Sequence, residues 1–152
     1  MFSARYIFIG LVALAACLIA INFYRTETPL TGAVASFEGV PLYIEVADTP
    51  KARERGLAGR EKVPEDYGML FVFDEEGRHG FWMKDMRVPL DIFWLTLDGH
   101  VLAVEENIAP STYPSVFYPP KPVQYVLETT ANFAKVHGIG VGSVFSPLPF
   151  PK

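Results

Sequence analysis

The sequence predicts an α+β domain that is mainly β, a compact antiparallel sheet or barrel-like fold with one or two short helices. Three observations lead there. Apolar runs of strand length recur from Val40 to Glu128, each too short for a packed helix. Acid–glycine pairs (Glu38-Gly39, Glu76-Gly77, Asp98-Gly99) separate such runs, and Asp-Gly suits a tight hairpin turn. Helix start and stop signals occur at only two places.

The chain opens on an address rather than on the fold. Tyr6–Tyr24 reads YIFIGLVALAACLIAINFY, apolar but for Asn22 and its tyrosine ends, with Arg5 before it and Arg25 after it. As a helix it would be ~28 Å long at ~1.5 Å per residue, close to the ~30 Å hydrocarbon core of a bilayer. It has no polar face, which argues against a helix packed on a soluble core. Three fates fit: an uncleaved anchor, a signal peptide cut near Ala13-Leu14-Ala15, or a lipoprotein whose Leu14-Ala15-Ala16-Cys17 resembles a lipobox and makes Cys17 a lipidation candidate. Each puts the remainder outside the cytoplasm, anchored or secreted, with the membrane as a partner through this segment where it is retained or lipidated. The expected organisation is an anchor or signal at 1–25, a tether at 26–33, one globular domain at 34–146 and a proline-rich tail at 147–152.

Strands and helices follow in order. Val40–Ala47 alternates well enough for a strand. Thr49 is a good N-cap and Pro50 suits the first helical position, so a helix begins there, limited by Gly56 and Gly59. Met69–Phe73 (MLFVF) is a fully apolar strand, and Gly80–Lys84 could return antiparallel to it through the loop Asp74–His79. A type I′ turn at Asp98-Gly99 would set Thr96 against Val101 and Trp94 against Ala103. Both faces of that hairpin are largely apolar, which requires cover on both sides of the sheet. Pro110–Pro122 reads as a proline-rich aromatic loop, Val123–Glu128 as a strand, and Ala131–His137 as a second short helix closed by Gly138.

Composition excludes several functions. All 17 acidic residues lie beyond residue 25, against 11 basic ones there. That balance disfavours nucleic acid, which needs clustered Lys and Arg. Cys17 is the only cysteine, so the domain has no disulfide, thiolate nucleophile or cysteine ligand. His79, His100 and His137 lack a second ligand at metal spacing, and Gly138–Gly142 (GIGVG) has no lysine after it, so neither metal nor cofactor is expected.

The blocks TPKARERGLAGR (Thr49–Arg60), GMLFVF (Gly68–Phe73), FWMKDMRVPLDIFWL (Phe81–Leu95) and YVLE (Tyr125–Glu128), in this order and spacing, resemble the bacterial and archaeal family called domain of unknown function 192. The resemblance implies a compact, mostly β fold whose members are often exported, and implies no activity. Asn132 stands where members usually have glycine, and asparagine tolerates left-handed backbone angles. Ser143 stands where an aspartate commonly follows Gly142.

Within these blocks lie the candidate ligand-binding residues Arg53, Arg60, Lys84, Asp91, Glu128 and Trp82. Asp91 begins the strand whose core face holds Phe93 and Leu95, so its carboxylate points at the core and needs a partner. Lys84 is the natural one, with Arg53 or Arg60 available to Asp91 or Glu128. Such a cluster beside Trp82 could clamp a small anionic or polyhydroxyl ligand, or could be a structural ion-pair network. Tyr113, Phe117 and Tyr118 in the proline-rich loop are candidates for meeting a partner. The leading functional expectation is a non-enzymatic, envelope-facing module binding a small polar ligand or an envelope protein. A carboxylate-dependent hydrolase or lyase using Asp91 and Glu128, and a purely structural envelope protein, are the alternatives.

Overall fold

The computed structural model describes residues 33–148. The apolar segment Tyr6–Tyr24, Cys17 and residues 26–32 of the expected tether lie outside the described residues, while Ala33, expected as its last residue, opens the first strand. Among the described residues no helix is long and apolar enough to cross a membrane.

Among the described residues nine strands form in chain order: β1 (Ala33–Phe37), β2 (Val40–Ala47), β3 (Tyr67–Gly77), β4 (Phe81–Trp82), β5 (Leu90–Leu95), β6 (Val101–Ile108), β7 (Val116–Phe117), β8 (Val123–Thr130) and β9 (Phe145–Ser146). Helix α1 (Pro50–Arg55) lies between β2 and β3, and α2 (Phe133–His137) follows β8. The main sheet runs β6-β5-β8-β3-β2-β1-β9, while β4 and β7 make a separate ribbon. Among the described residues the fold is therefore mainly β with two short helices, as expected. One pairing departs from the antiparallel expectation: β2 and β3 are parallel. The intervening segment with α1 carries the chain back to the end of the sheet where β2 began, which is what a parallel neighbour requires.

Both faces of the sheet are covered. All six residues of β5 are buried, as are most of β8 and the first half of β3. On one face Phe37, Phe93, Phe133 and Phe145 pack around α2, Phe37 meeting Phe93 edge-to-face at 4.9 Å. On the other, Leu57, Phe71, Phe81, Met83, Ile92 and Trp94 pack beneath α1 and the β4–β7 ribbon. Trp94 fills this core and donates its indole N–H to the His79 carbonyl at 3.1 Å.

The hairpin at Asp98-Gly99 forms with a different turn. Thr96 N–H donates to the His100 carbonyl, Gly99 N–H closes back on Thr96, and only Gly99 has positive φ (+87°). This is a three-residue loop with a glycine bulge rather than a type I′ turn. Leu95 consequently faces Val101, and the expected Trp94–Ala103 pairing is restored beyond the irregularity. Gly99 is needed for a second reason, since a Cβ there would lie 2.2 Å from the Phe145 carbonyl oxygen. The C-terminal segment crosses at that point. Val144 bridges to His100 while Phe145 and Ser146 pair with β1, so one end of the sheet curls into a barrel-like closure.

The return of Gly80–Lys84 against Met69–Phe73 does not occur. Both edges of β3 are taken by β2 and β8, and Phe81 and Trp82 pair instead with Phe117 and Val116. The proline-rich segment thus contributes a strand and a 3-10 turn at Pro110–Thr112. Asn132 does take the left-handed conformation, at φ +65°.

Candidate functional site

Helix α1 starts as its sequence dictates. Thr49 Oγ1 accepts from Ala52 N–H at 3.2 Å and Pro50 occupies the first turn. It ends at Gly56 (φ +50°), whose N–H closes on the Ala52 carbonyl. The short helix sends Arg53 toward the sheet. Arg53 Nη1 donates to the carbonyls of Asp48 (2.6 Å) and Val72 (2.8 Å), its guanidinium sits 5.2 Å over the Phe73 ring, and Nη2 lies 3.8 Å from Asp74. Phe73 in turn stacks flat on His79, centroids 3.5 Å apart. Arg53 is thereby fixed as a rigid cationic wall.

Below it lies Glu128. Strand β8 is central, and Glu128 pairs across to Met69 on one side and Ile92 on the other, so its side chain points to the α1 face. It is 5% exposed, and its Oε2 is enclosed with no hydrogen-bond partner. Burial pushes its carboxyl up to about 8, partly countered by the positive charge of Arg60. Gly56 puts no side chain over this carboxyl: a Cβ at that position would come 3.3 Å from Phe71 Cζ and 3.8 Å from Glu128 Oε2. The resulting cavity, about 200 Å³, has Glu128 and Phe71 at its base and Arg53, Lys84 and Trp82 around it. Trp82 is half exposed and Lys84 exposed.

A more open depression of about 380 Å³ adjoins this cavity across Arg55 and Gly56. Arg60 lines it, donating from Nη1 to the Tyr67 hydroxyl (2.8 Å) and from Nη2 to Glu45 Oε2 (2.8 Å), while the Tyr67 hydroxyl donates to the same carboxylate oxygen. Burial alone would raise the Glu45 carboxyl, but the hydrogen bonds from Tyr67 and Arg60 hold it below its ordinary value. Burial, and then the bond to Glu45, push the Tyr67 phenol well above its usual range. This is a saturated structural trio tying β2, β3 and the segment after α1 together.

Of the sequence-derived candidates, Arg53, Lys84, Trp82 and Glu128 converge on the cavity, and Arg60 lies in the neighbouring depression. Asp91 does not join them. It pairs with Thr129, one residue out of step with Glu128, and so points to the opposite face of the sheet. There its Oδ1 accepts from the N–H groups of Asn107 (2.7 Å) and Asn132 (3.0 Å), and its Oδ2 from Ala134 (2.8 Å). The expected Asp91–Lys84 pair is therefore replaced by backbone donors. Asp91 caps the start of α2, where Asn132 offers no side-chain cap of its own. Asp91 and Glu128 form no carboxylate pair, which removes the geometric basis for a hydrolase working through both.

The loop aromatics do not line the cavity. Phe117 pairs with Phe81 and packs on the core beneath, Tyr118 lies against Gly80, and Tyr113 is about half exposed. Conversely, His79, Phe73 and Gly56 belong to the cavity and were not among the sequence candidates. The one sequence signal for Gly56 was its role in ending α1. Among the described residues no group of three or more His, Cys, Asp or Glu side chains is placed to hold a metal ion.

The fold has solved counterparts. A protein from Sinorhizobium meliloti 1021, described as a proposed transcription regulator, is 35% identical, with 70% of this chain and 81% of that one covered and a TM-score of 0.67. A protein of unknown function from Novosphingobium aromaticivorans DSM 12444 is 25% identical, with 79% and 90% covered and a TM-score of 0.73. No curated protein matches the chain. The family model for domain of unknown function 192, described as an uncharacterized ACR, matches residues 33–146, and with most of its length inside that match the chain belongs to this family.

Proposed function

We propose that this is a non-enzymatic binding module, held outside the cytoplasm by its N-terminal segment, whose cavity beside Trp82 takes a small polar ligand. The single observation that carries the reading is the enclosed, unpartnered Oε2 of Glu128 at the base of that cavity. Buried polar groups are nearly always hydrogen-bonded, and leaving one unpaired costs ~1–3 kcal/mol. An apolar side chain there would avoid that cost. A ligand that supplies the missing hydrogen bond recovers it, and Gly56 sets no side chain between the cavity and this carboxyl. The placement outside the cytoplasm rests on the apolar run Tyr6–Tyr24. The Sinorhizobium protein is described as a proposed transcription regulator, and direct contact with nucleic acid has little support in a chain with 17 acidic and 13 basic residues.

The test is a thermal-shift panel on the full chain with N-acetylglucosamine, glucose, an alanyl dipeptide, benzoate and phosphate. At least one compound is expected to raise the melting temperature of the native chain and to lose that effect in Glu128→Leu. A panel with no shift would remove the ligand reading.

A further inference from the structure

We infer that the ligand of this cavity is a small monoanion with a flat apolar body, of which an aromatic carboxylate is the simplest case. The inference rests on the cavity being a binding site.

Charge comes first. The cationic side chains around the cavity are Arg53, Arg55 and Lys84, against the carboxylates of Glu54 and Glu128. Glu128 differs from Glu54, because burial favours its uncharged form at neutral pH. A protonated carboxyl is an O–H donor, and its strongest acceptor is an ionised oxygen. An anion would therefore meet a donor at the base and cations around it. A cation would have to pass Arg53 and Lys84 and would find a neutral acid.

Shape narrows the class. Leu57, Phe71, Phe81 and Met86 supply apolar walls, so a sugar with hydroxyls on every side would leave most of them without partners. The half-exposed Trp82 offers a flat face beside the opening. A volume of about 200 Å³ suits one ring with a short polar head.

Three probes with a common ring separate the possibilities: benzoate, benzamide and benzamidine, titrated into the full chain at pH 7 with tryptophan fluorescence as the readout. Benzoate is expected to bind about tenfold or more tightly than either of the others. Lys84→Gln alters an exposed side chain and is expected to weaken benzoate about fivefold, and Trp82→Ala is expected to weaken it further, read by calorimetry. Equal or tighter binding of benzamidine or benzamide would overturn the anion class while leaving the cavity as a site. Benzoate binding untouched by both substitutions would overturn its placement in the cavity. Failure of all three probes to bind would overturn the inference together with the reading beneath it.

Discussion

Replacing Glu128 by glutamine keeps the shape of the side chain and removes its ionisation, so it isolates the consequence of burying that carboxyl. Glu128 is raised from 4.5 to about 8 by burial. The folded state thus binds the proton more tightly than the unfolded chain. The associated stability is fully present below the unfolded value and is lost as pH rises through the folded one. At ~1.4 kcal/mol per pH unit, that interval corresponds to about 5 kcal/mol in all, of which about 4 kcal/mol falls between pH 5 and pH 9. Other groups titrate in the same range, but they are common to both proteins and cancel in the difference. The assay is urea unfolding of the full chain at a series of pH values, followed by the fluorescence of the buried Trp94. The native protein is expected to lose about 4 kcal/mol relative to Glu128→Gln across pH 5–9. A difference that stays constant with pH would show that the carboxyl is hydrated or paired, and the case for the cavity would lose its base.

Asp91→Ala removes the acceptor for three backbone N–H groups and is expected to cost about 4 kcal/mol, measured by denaturant unfolding. Lys84→Met, by contrast, is expected to change stability by less than ~0.5 kcal/mol in the same assay, because Lys84 is exposed and Asp91 is satisfied elsewhere. A large loss in Lys84→Met would restore the ion pair between them. Tyr67→Phe deletes the hydroxyl that joins Arg60 to Glu45 and is expected to cost ~1 kcal/mol; an unchanged unfolding midpoint would mean that the trio holds without it.

Much of the architecture was legible because it is written in local chemistry. Thr49-Pro50 announces α1, Gly138 closes α2 in the left-handed conformation, and the two-sided apolar pattern of Phe93–Leu95 announces a covered strand. What escaped depends on residues far apart in the chain. Alternation correctly aimed Asp91 at the core, but its partners are main-chain N–H groups at Asn107, Asn132 and Ala134, and a backbone donor leaves no mark in a sequence. The sequence likewise could not say that β8 would claim the edge of β3 that Gly80–Lys84 was expected to take. The candidate site was half legible. Arg53, Lys84, Trp82 and Glu128 were chosen for their chemistry and do meet. The out-of-step pairing of Asp91 and Glu128 across β5 and β8 put these two carboxyls on opposite faces, a matter of register that only the folded sheet decides. His79 has no second ligand at metal spacing to mark it in the sequence, yet it enters the cavity by stacking on Phe73.

The most direct measurement is the carboxyl carbon resonance of Glu128 in the isotope-labelled full chain, followed by NMR as benzoate is added at pH 7. The expected result is a Glu128 signal at the protonated position that moves with saturation as the ligand binds, while the signals of exposed carboxylates such as Glu61 stay in place. A Glu128 signal already at the ionised position, or one that ignores benzoate while exposed carboxylates respond, would contradict a buried acid waiting at the base of a binding cavity.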